Sequence, residues 1–240
     1  MHLFYAPDIQ DDCYSLNAED SRHCVKVLRL KAGERITLTD GAGNLYYAVI
    51  QKADSKETEV VVERKEHVGK PWSFSLHIAI APTKNMNRTE WALEKITEMG
   101  VDKITPLLCE HSERKVVKFE RMNRIITAAV KQSLKAYYPE LSEMTSLEDF
   151  VAHSFSGQKK YIAYIDEQYR EHLADLYEPG SDAVILIGPE GDFSKDEVKM
   201  AVEKGFQPVS LGKSRLRTET AAVAACHSFH LLNQKTNDVK

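Results

Sequence analysis

The hydrophobic pattern is clearest near the carboxyl end, where the apolar run Ala183-Val-Ile-Leu-Ile187 is followed directly by Gly188-Pro-Glu-Gly191. An unbroken, mostly β-branched run is typical of a strand buried on both faces of a parallel sheet. Ser194-Lys-Asp-Glu197 has the spacing of a capping box and predicts a helix that Gly205 ends. A strand, a glycine turn and a helix start predict a small-molecule site at the strand's carboxyl end.

A second segment repeats this order. Phe206 to Leu211 predicts a strand and Gly212-Lys-Ser-Arg-Leu-Arg217 predicts a loop. Thr218 is a suitable N-cap for an alanine-rich helix that runs to about Leu232. The two loops lie about 25 residues apart, so we expect their strands to be neighbours in a parallel sheet and the loops to wall one pocket.

The segment between Phe74 and these loops alternates strands with longer helices, which predicts a parallel sheet. Its predicted strands are 75–80, 104–109 and 161–165, and its predicted helices are 88–99, ended by Gly100, and 119–138, ended by Pro139.

Residues 1 to about 70 have a different pattern, with short strands and turns. The runs 36–39 and 45–50 flank Asp40-Gly-Ala-Gly-Asn44 and predict a hairpin. A further strand is predicted at 59–62 and a helix at 17–30. This is the pattern of a small β-barrel, and the aperiodic stretch His67-Val-Gly-Lys-Pro-Trp72 predicts the domain boundary.

Three phrases together resemble one family. The segments 187–194 and 211–221 resemble the two signature loops of the RsmE family, SPOUT-superfamily methyltransferases that act on N3 of a uridine in 16S ribosomal RNA. His23-Cys-Val-Lys-Val-Leu-Arg29 resembles that family's His-x-x-x-Val-Leu-Arg phrase.

The resemblance implies an α/β fold: a PUA-like RNA-binding β-barrel domain at 1–70 and a SPOUT methyltransferase domain at 71–240. The second domain would contain a parallel sheet with a deep C-terminal trefoil knot, which no periodicity reveals. The implied cofactor is S-adenosyl-L-methionine. The implied partners are 16S rRNA, within the small ribosomal subunit or an assembly intermediate, and a second copy of the chain in a homodimer.

The resemblance also implies three groups of site residues. The cofactor-binding group is Ile187, Gly188, Glu190, Gly191, Leu211, Gly212, Leu216 and Thr220. The catalytic group is Arg217, Glu219 and Glu190. The RNA-binding group is His23, Arg29, Lys84, Arg88, Arg114 and Arg124.

The chemistry explains why the catalytic group is charged. Uracil N3 carries a proton at neutral pH and becomes nucleophilic only after losing it. Arg217, at the start of the last helix, is placed to stabilise negative charge on the uracil oxygens. Glu219 or Glu190 either accepts the proton or braces Arg217, and the sequence leaves both roles open.

The chain departs from the family pattern at three places. The basic loop before the Glu-Trp helix lacks the usual glycine and reads Lys84-Asn-Met-Asn-Arg88. The phrase Glu-Gln-Ser-x-Arg appears as Lys131-Gln-Ser-Leu-Lys135, and Asp192 stands where many relatives have a third glycine. Since the first two changes keep or raise positive charge, we expect RNA contact to be retained.

Composition narrows the class of protein. The 240 residues are 42% hydrophobic and 28% charged, as in ordinary globular proteins. The sequence shows neither a signal peptide nor an apolar run near the roughly 20 residues of a membrane span, so a cytoplasmic protein is expected. Four scattered cysteines suggest neither disulfides nor zinc, and His227 and His230 lack partners for a metal site.

The net charge of −4 conceals local basic runs. Seven basic residues and one acidic residue lie between Arg114 and Lys135, and a second basic group lies between Arg22 and Arg35. Each run is either a solvated helix face or a set of phosphate contacts.

Nucleotide-binding motifs are not matched. Gly212-Lys-Ser214 lacks the Walker glycine, since position 207 is Gln207, and there is no Gly-x-Gly-x-x-Gly. Two alternatives to the hypothesis of uridine-N3 methylation remain. One is a related methyltransferase that acts on a ribose 2′-oxygen or another base, and the other is a non-catalytic RNA-binding module.

Overall fold

The computed structural model describes residues 2–164 and 171–237, with side chains described as far as 234. The chain divides into two compact units. The first contains the residues up to Pro71 together with Thr127–Tyr138, and the second contains Trp72–Ile126 and the residues from Pro139 onward. The sequence placed a boundary at residue 70 but did not predict that Thr127–Tyr138 belongs with the amino-terminal residues.

The first unit is built on a five-stranded sheet with the order β1-β3-β4-β5-β2. β1 runs parallel to β3, and the other pairs are antiparallel. The predicted hairpin is present as β3 and β4, whose register pairs Thr39 with Leu45. One side of the sheet is the core, with Phe4, Leu38 and Ile50 buried. The elements are β1 Leu3–Tyr5, β2 Cys13–Ser15, α1 Ala18–Arg22, β3 Arg35–Thr39, β4 Asn44–Lys52 and β5 Glu59–His67.

The helix predicted at 17–30 is present only in part, since Asn17 caps α1 but the regular α-helix ends at Arg22. After α1 the chain widens into a π-helical turn at His23–Val27, in which the Leu28 N–H donates to the His23 carbonyl at 2.9 Å. Arg29 then takes a left-handed conformation with φ 58°, which a helix does not continue through. The wider turn leaves His23 and Arg29 exposed and Cys24 buried in the core.

The segment Thr127–Tyr138 is helical only at its start, because α3 (Phe119–Gln132) ends before the predicted residue 138. Leu134, with φ 55°, takes the left-handed position that usually holds glycine. The Lys135 N–H donates back to the Val130 carbonyl at 3.1 Å, and the Ser133 hydroxyl donates to the Ala129 carbonyl at 2.7 Å. The helix therefore ends in a Schellman-type turn with a leucine instead of a glycine.

This segment is bonded to the β3–β4 hairpin and to α1 of the first unit. The Ala136 carbonyl accepts from the Thr39 hydroxyl at 3.0 Å and from the Gly43 N–H at 2.9 Å. The Lys131 ammonium pairs with Asp20, whose residue exposure is 5%. The positive charge of Lys131 therefore neutralises a buried carboxylate within the unit.

The second unit contains the predicted parallel sheet. Its strand order is β12-β10-β11-β6-β7-β8, with β9 also paired to β7, and each pairing is parallel. β10 begins two residues before the strand predicted at 161–165, and Ile165 lies outside the described residues. The elements are β6 Leu76–Ile80, α2 Met86–Met99, β7 Lys103–Leu108, β8 Glu140–Leu141, β9 Thr145–Ser146, α4 Leu147–Ala152, β10 Lys159–Ala163, α5 Leu173–Leu176, β11 Ala183–Ile187, α6 Lys195–Glu203, β12 Gln207–Val209 and α7 Thr218–Asn237.

The central strands are buried on both faces, as their unbroken apolar runs predicted. All five residues of β6 and all five of β11 are buried. α2 ends at Gly100, as predicted, with φ +119°. A Cβ at Gly100 would lie 2.6 Å from the ring of Trp72, so both the conformation and the packing require glycine there.

The two central strands, β6 and β11, contain one ionisable residue, His77 in β6, and it is 6% exposed. Its Nε2 lies 2.8 Å from the Thr105 hydroxyl. Burial, with a smaller contribution from Lys103, lowers the pKa of His77 from 6.5 to about 3. The imidazole is therefore neutral in the folded protein at any ordinary pH.

Stability should consequently fall with pH below 6.5, where the unfolded chain gains a proton that folded His77 does not bind. The slope approaches about 1.4 kcal/mol per pH unit. Between pH 7.5 and pH 5.0, the free energy of unfolding measured with urea should fall by about 2 kcal/mol less in His77→Leu than in the unmodified protein. The exposed His227→Leu is the control, and equal losses in all three proteins would contradict the assignment.

A search of the described helices finds none with the length and apolarity needed to cross a membrane.

Candidate active site

The two glycine-bearing loops wall one cavity of about 820 Å³ at the carboxyl ends of β10, β11 and β12. The turn after β11 contributes residues from Ile187 to Glu190, and the loop after β12 contributes residues from Leu211 to Arg217. The Thr218 hydroxyl donates to the Gly188 carbonyl at 3.0 Å and so joins the start of α7 to the first loop. The pairing of the loops expected from the sequence is present.

The strands that carry these loops are not neighbours, which corrects the sequence-based expectation. β10 lies between β11 and β12 and pairs with both in parallel. Its carboxyl end therefore also reaches the cavity, where Ala163 and Tyr164 form part of the wall. Sequence reasoning missed both residues, although the strand itself was predicted.

The turn Gly188–Gly191 is fixed by close packing. A Cβ at Gly188 would lie 3.0 Å from the ring of Phe193, and a Cβ at Gly191 would lie 3.0 Å from the Cβ of His111. The predicted capping box is present, because Ser194 and Glu197 bond reciprocally at the start of α6. Glu197 also accepts from the Glu110 N–H at 2.8 Å. The turn is therefore held from both sides before any ligand binds.

The second loop leaves backbone accessible at Gly212. Its φ of +134° favours glycine, and a Cβ built there meets no protein atom within 4 Å. The Ser210 hydroxyl shapes the turn by accepting from the Gly212 N–H and donating to the Gly212 carbonyl, both at 3.0 Å. A ligand can therefore approach this backbone closely.

Asp192 follows the turn in a left-handed conformation with φ 65°. Its carboxylate accepts from the Phe193 N–H at 2.8 Å, which supports a conformation that few side chains adopt. Desolvation raises the pKa of the Asp192 carboxyl, and the Phe193 N–H and Arg215 oppose that rise.

Replacing Asp192 with glycine should leave the turn intact. Relief of the left-handed strain should raise unfolding free energy by up to about 1 kcal/mol, less the lost bond to Phe193. Asp192→Ala keeps a side chain in the left-handed conformation and loses the bond to the Phe193 N–H. Chemical denaturation should therefore give the alanine variant an unfolding free energy about 1 kcal/mol or more below that of the glycine variant. An alanine variant as stable as the glycine variant would contradict the strain.

The charged residues predicted to be catalytic have separate surroundings. Arg217 is exposed and lines the cavity. Glu219 is 8% exposed, and its Oε1 lies 3.8 Å from the Nε of Arg88, another cavity-lining residue. Within the described parts of the chain, the other Glu219 oxygen has no hydrogen-bond partner. Glu190 lines the cavity and accepts from the Lys84 N–H at 2.9 Å.

The remaining predicted residues divide by position. Gly191, Glu219 and Thr220 lie beside the cavity wall without lining it. Lys84 and Arg114 contact each other beside the first loop, and Arg124 is exposed on α3. His23 and Arg29 are exposed in the first unit. The predicted residues that do line the cavity are Arg88, Ile187, Gly188, Glu190, Leu211, Gly212, Leu216 and Arg217.

Comparison with known proteins agrees with both units. Residues 70–230 match the RNA methyltransferase domain family, and residues 16–63 match the RNA methyltransferase PUA domain family. The fold and the site therefore define an RNA methyltransferase. A ribosomal RNA small subunit methyltransferase E of Rickettsia conorii is 30% identical over 224 residues, covering 90% of this chain and 89% of that protein. The chain belongs to the family of ribosomal RNA small subunit methyltransferase E.

Two solved structures extend the comparison. A probable rRNA methyltransferase from Porphyromonas gingivalis is 47% identical, with a TM-score of 0.91 over 98% of this chain and 100% of that one. A ribosomal RNA small subunit methyltransferase E from Neisseria gonorrhoeae, solved bound to S-adenosyl methionine, is 28% identical with a TM-score of 0.89. That match covers 97% of this chain and 98% of the other.

Proposed function

We propose that this protein transfers a methyl group from S-adenosyl-L-methionine to N3 of a uridine in 16S ribosomal RNA. The observation that carries the proposal is that both signature loops wall the same cavity. The relative from Rickettsia conorii is named for methylation of small-subunit rRNA, and the relative from Neisseria gonorrhoeae binds S-adenosyl methionine. Both relationships support the assignment of cofactor and substrate.

The cavity fits this cofactor. Its volume of about 820 Å³ lies within the usual range for small-molecule sites, about 300–1,000 Å³. Gly188 and Gly212 expose backbone to it, and Ile187, Leu211 and Leu216 give it apolar walls. Backbone amides and carbonyls there would hold the adenine and ribose edges. The bound cofactor supplies a methyl carbon attached to a positively charged sulfur.

The protein's own contribution is orientation and charge stabilisation. The uracil must approach the methyl carbon in line with the sulfur, so positioning supplies much of the acceleration. Arg217, next to the amino-terminal end of α7, stabilises the negative charge that develops on the uracil oxygens as N3 loses its proton. Glu219, paired with Arg88, holds that guanidinium at the cavity wall.

RNA binding is assigned to exposed or half-buried basic residues in both units. The base must leave its stack to reach the cavity, so contacts to the surrounding backbone must hold the strand. The proposed contacts are His23, Arg29, Lys84, Arg88 and Arg124. The proposed partners are the small ribosomal subunit or its assembly intermediate, which places the protein in the cytoplasm. We also propose that the protein forms a homodimer and that the C-terminal part of the chain forms a trefoil knot.

Nucleoside mass spectrometry tests the reaction directly. Small subunits from cells lacking the homologous activity are incubated with the protein and S-adenosyl-L-methionine, and their 16S rRNA is digested to nucleosides. The expected product is 3-methyluridine. Detection of a 2′-O-methylated nucleoside or another methylated base instead would show that the protein catalyses a different methyl transfer from the one proposed. Absence of product, together with no calorimetric binding of the cofactor at millimolar concentration, would favour a non-catalytic RNA-binding module.

A further inference from the structure

Lys84 occupies an unusual place in the loop between β6 and α2. Its backbone N–H donates to Glu190 Oε1 at 2.9 Å, across 106 positions of sequence. Thr83 before it is fixed, because the Thr83 N–H donates to the Thr89 hydroxyl at 2.9 Å. Asn85 after it is the N-cap of α2. The Lys84 peptide is therefore a short bridge between two fixed points, and a carboxylate from the cavity wall bonds to it.

The other side of the same residue is also bonded. Arg114 Nη2 donates to the Lys84 carbonyl at 2.7 Å. The Lys84 ammonium pairs with Glu113 at 2.7 Å, and this contact raises the pKa of Lys84. That ion pair is well exposed, so it contributes little stability. The backbone bonds from Glu190 and Arg114 are charge-assisted and therefore stronger than neutral ones.

The Lys84 backbone thus lies in a clamp, with the Glu190 carboxylate on its N–H and the Arg114 guanidinium on its carbonyl. The clamp fixes the start of α2, where Arg88 follows four residues later and lines the cavity. Arg88 in turn meets Glu219 in the first turn of α7. The basic loop, the turn after β11 and the last helix are consequently linked around the cavity by named contacts.

We propose that Glu190 and Arg114 are positioning residues that hold the Lys84 backbone, and through it Arg88, in the arrangement that receives the RNA strand. This inference rests on the proposed methyl transfer to RNA. It gives Glu190 a role distinct from proton acceptance and gives Arg114 a role distinct from phosphate contact. The carboxylate and the guanidinium act through the Lys84 peptide.

Glu190→Gln and Glu190→Ala separate the two roles of Glu190. Glutamine retains an oxygen that accepts from the Lys84 N–H but cannot take a proton from uracil, whereas alanine loses both abilities. Hydrogen exchange of the Lys84 amide, followed by NMR, reports on the bond from this amide to residue 190 and does not require methylation. Methylation kinetics then give kcat and the KM for RNA.

The clamp predicts that Glu190→Ala accelerates exchange of the Lys84 amide by about tenfold or more. The same variant should raise the KM for RNA by a similar factor. Glu190→Gln should restore both quantities to within about fivefold of the unmodified protein, with an unchanged pH profile of kcat. Arg114→Ala should raise the KM for RNA as Glu190→Ala does. Glu203→Ala, an exposed change on α6, is the matched control.

Two results would overturn the inference. The first is Glu190→Gln as inactive as Glu190→Ala while its Lys84 amide remains protected, because Glu190 would then act on the substrate proton. The second is unchanged amide exchange in Glu190→Ala. Failure of the proposed reaction is distinguishable, since the unmodified protein would then produce no 3-methyluridine while the exchange measurement would still report on the clamp.

Discussion

Replacing Arg217 with alanine should lower kcat for methyl transfer by about 100- to 1,000-fold, the usual cost of removing a group that stabilises developing negative charge. The affinity for S-adenosyl-L-methionine should stay within about threefold. The reason is geometric, since Arg217 is an exposed residue of the cavity wall next to the start of α7. Single-turnover kinetics with saturating cofactor, together with calorimetric titration, measure the two quantities separately.

Two variants serve as comparisons for this experiment. Arg217→Lys keeps the charge but loses the planar fork of donors, so its rate should fall between the alanine variant and the unmodified protein. Lys199→Ala removes an exposed cation from α6, away from the cavity lining, and should leave the rate unchanged. A loss of cofactor affinity in Arg217→Ala without a loss of turnover at saturation would refute the assigned role.

Filling the cavity should abolish cofactor binding. Ala221 lies on α7, is half-buried and lines the cavity, so tryptophan at this position projects an indole ring into the space proposed for the cofactor. An intact protein with the Ala221→Trp change should bind S-adenosyl-L-methionine at least about 100-fold more weakly, a loss near 3 kcal/mol. Calorimetric titration measures the affinity, and thermal unfolding shows whether the fold is retained.

The same helix provides the control for the tryptophan. His227 is exposed on α7 and does not line the cavity, so His227→Trp should bind the cofactor as the unmodified protein does. Cofactor affinity of a folded Ala221→Trp variant within about threefold of the control would place the cofactor outside this cavity.

Local signals explain why much of the site was predictable. The composition of Ala183–Ile187 alone predicts a buried strand, and the spacing of Ser194 and Glu197 predicts the start of a helix. Both signals depend on neighbouring residues, so no knowledge of the rest of the chain is needed. The first of the two loops that wall the cavity lies between these two elements.

The order of the strands could not be predicted in the same way. Pairing of β10 with both β11 and β12 depends on contacts between residues far apart in sequence, which leave no periodicity. Tyr164 was therefore not predicted as a site residue, although it lies within the strand predicted at 161–165 and lines the cavity. The partners of Glu190 and Glu219 were missed for the same reason, since Lys84 and Arg88 precede them by more than a hundred residues.

The end of α3 shows a second kind of limit. The apolar periodicity of the sequence continues to residue 138, and Pro139 is an obvious stop. The helix instead ends at Gln132, with Leu134 in a conformation that leucine disfavours. Tertiary bonds from Thr39 and Gly43 to Ala136 compensate for that local cost.

The return of Thr127–Tyr138 to the amino-terminal unit has a consequence for how the chain can be divided. The first unit is assembled from two stretches of chain, and Asp20 in one stretch depends on Lys131 in the other for its counter-charge. A fragment that ends near residue 70 would therefore lack the counter-charge of Asp20, and moving the amino-terminal unit into another protein requires both stretches.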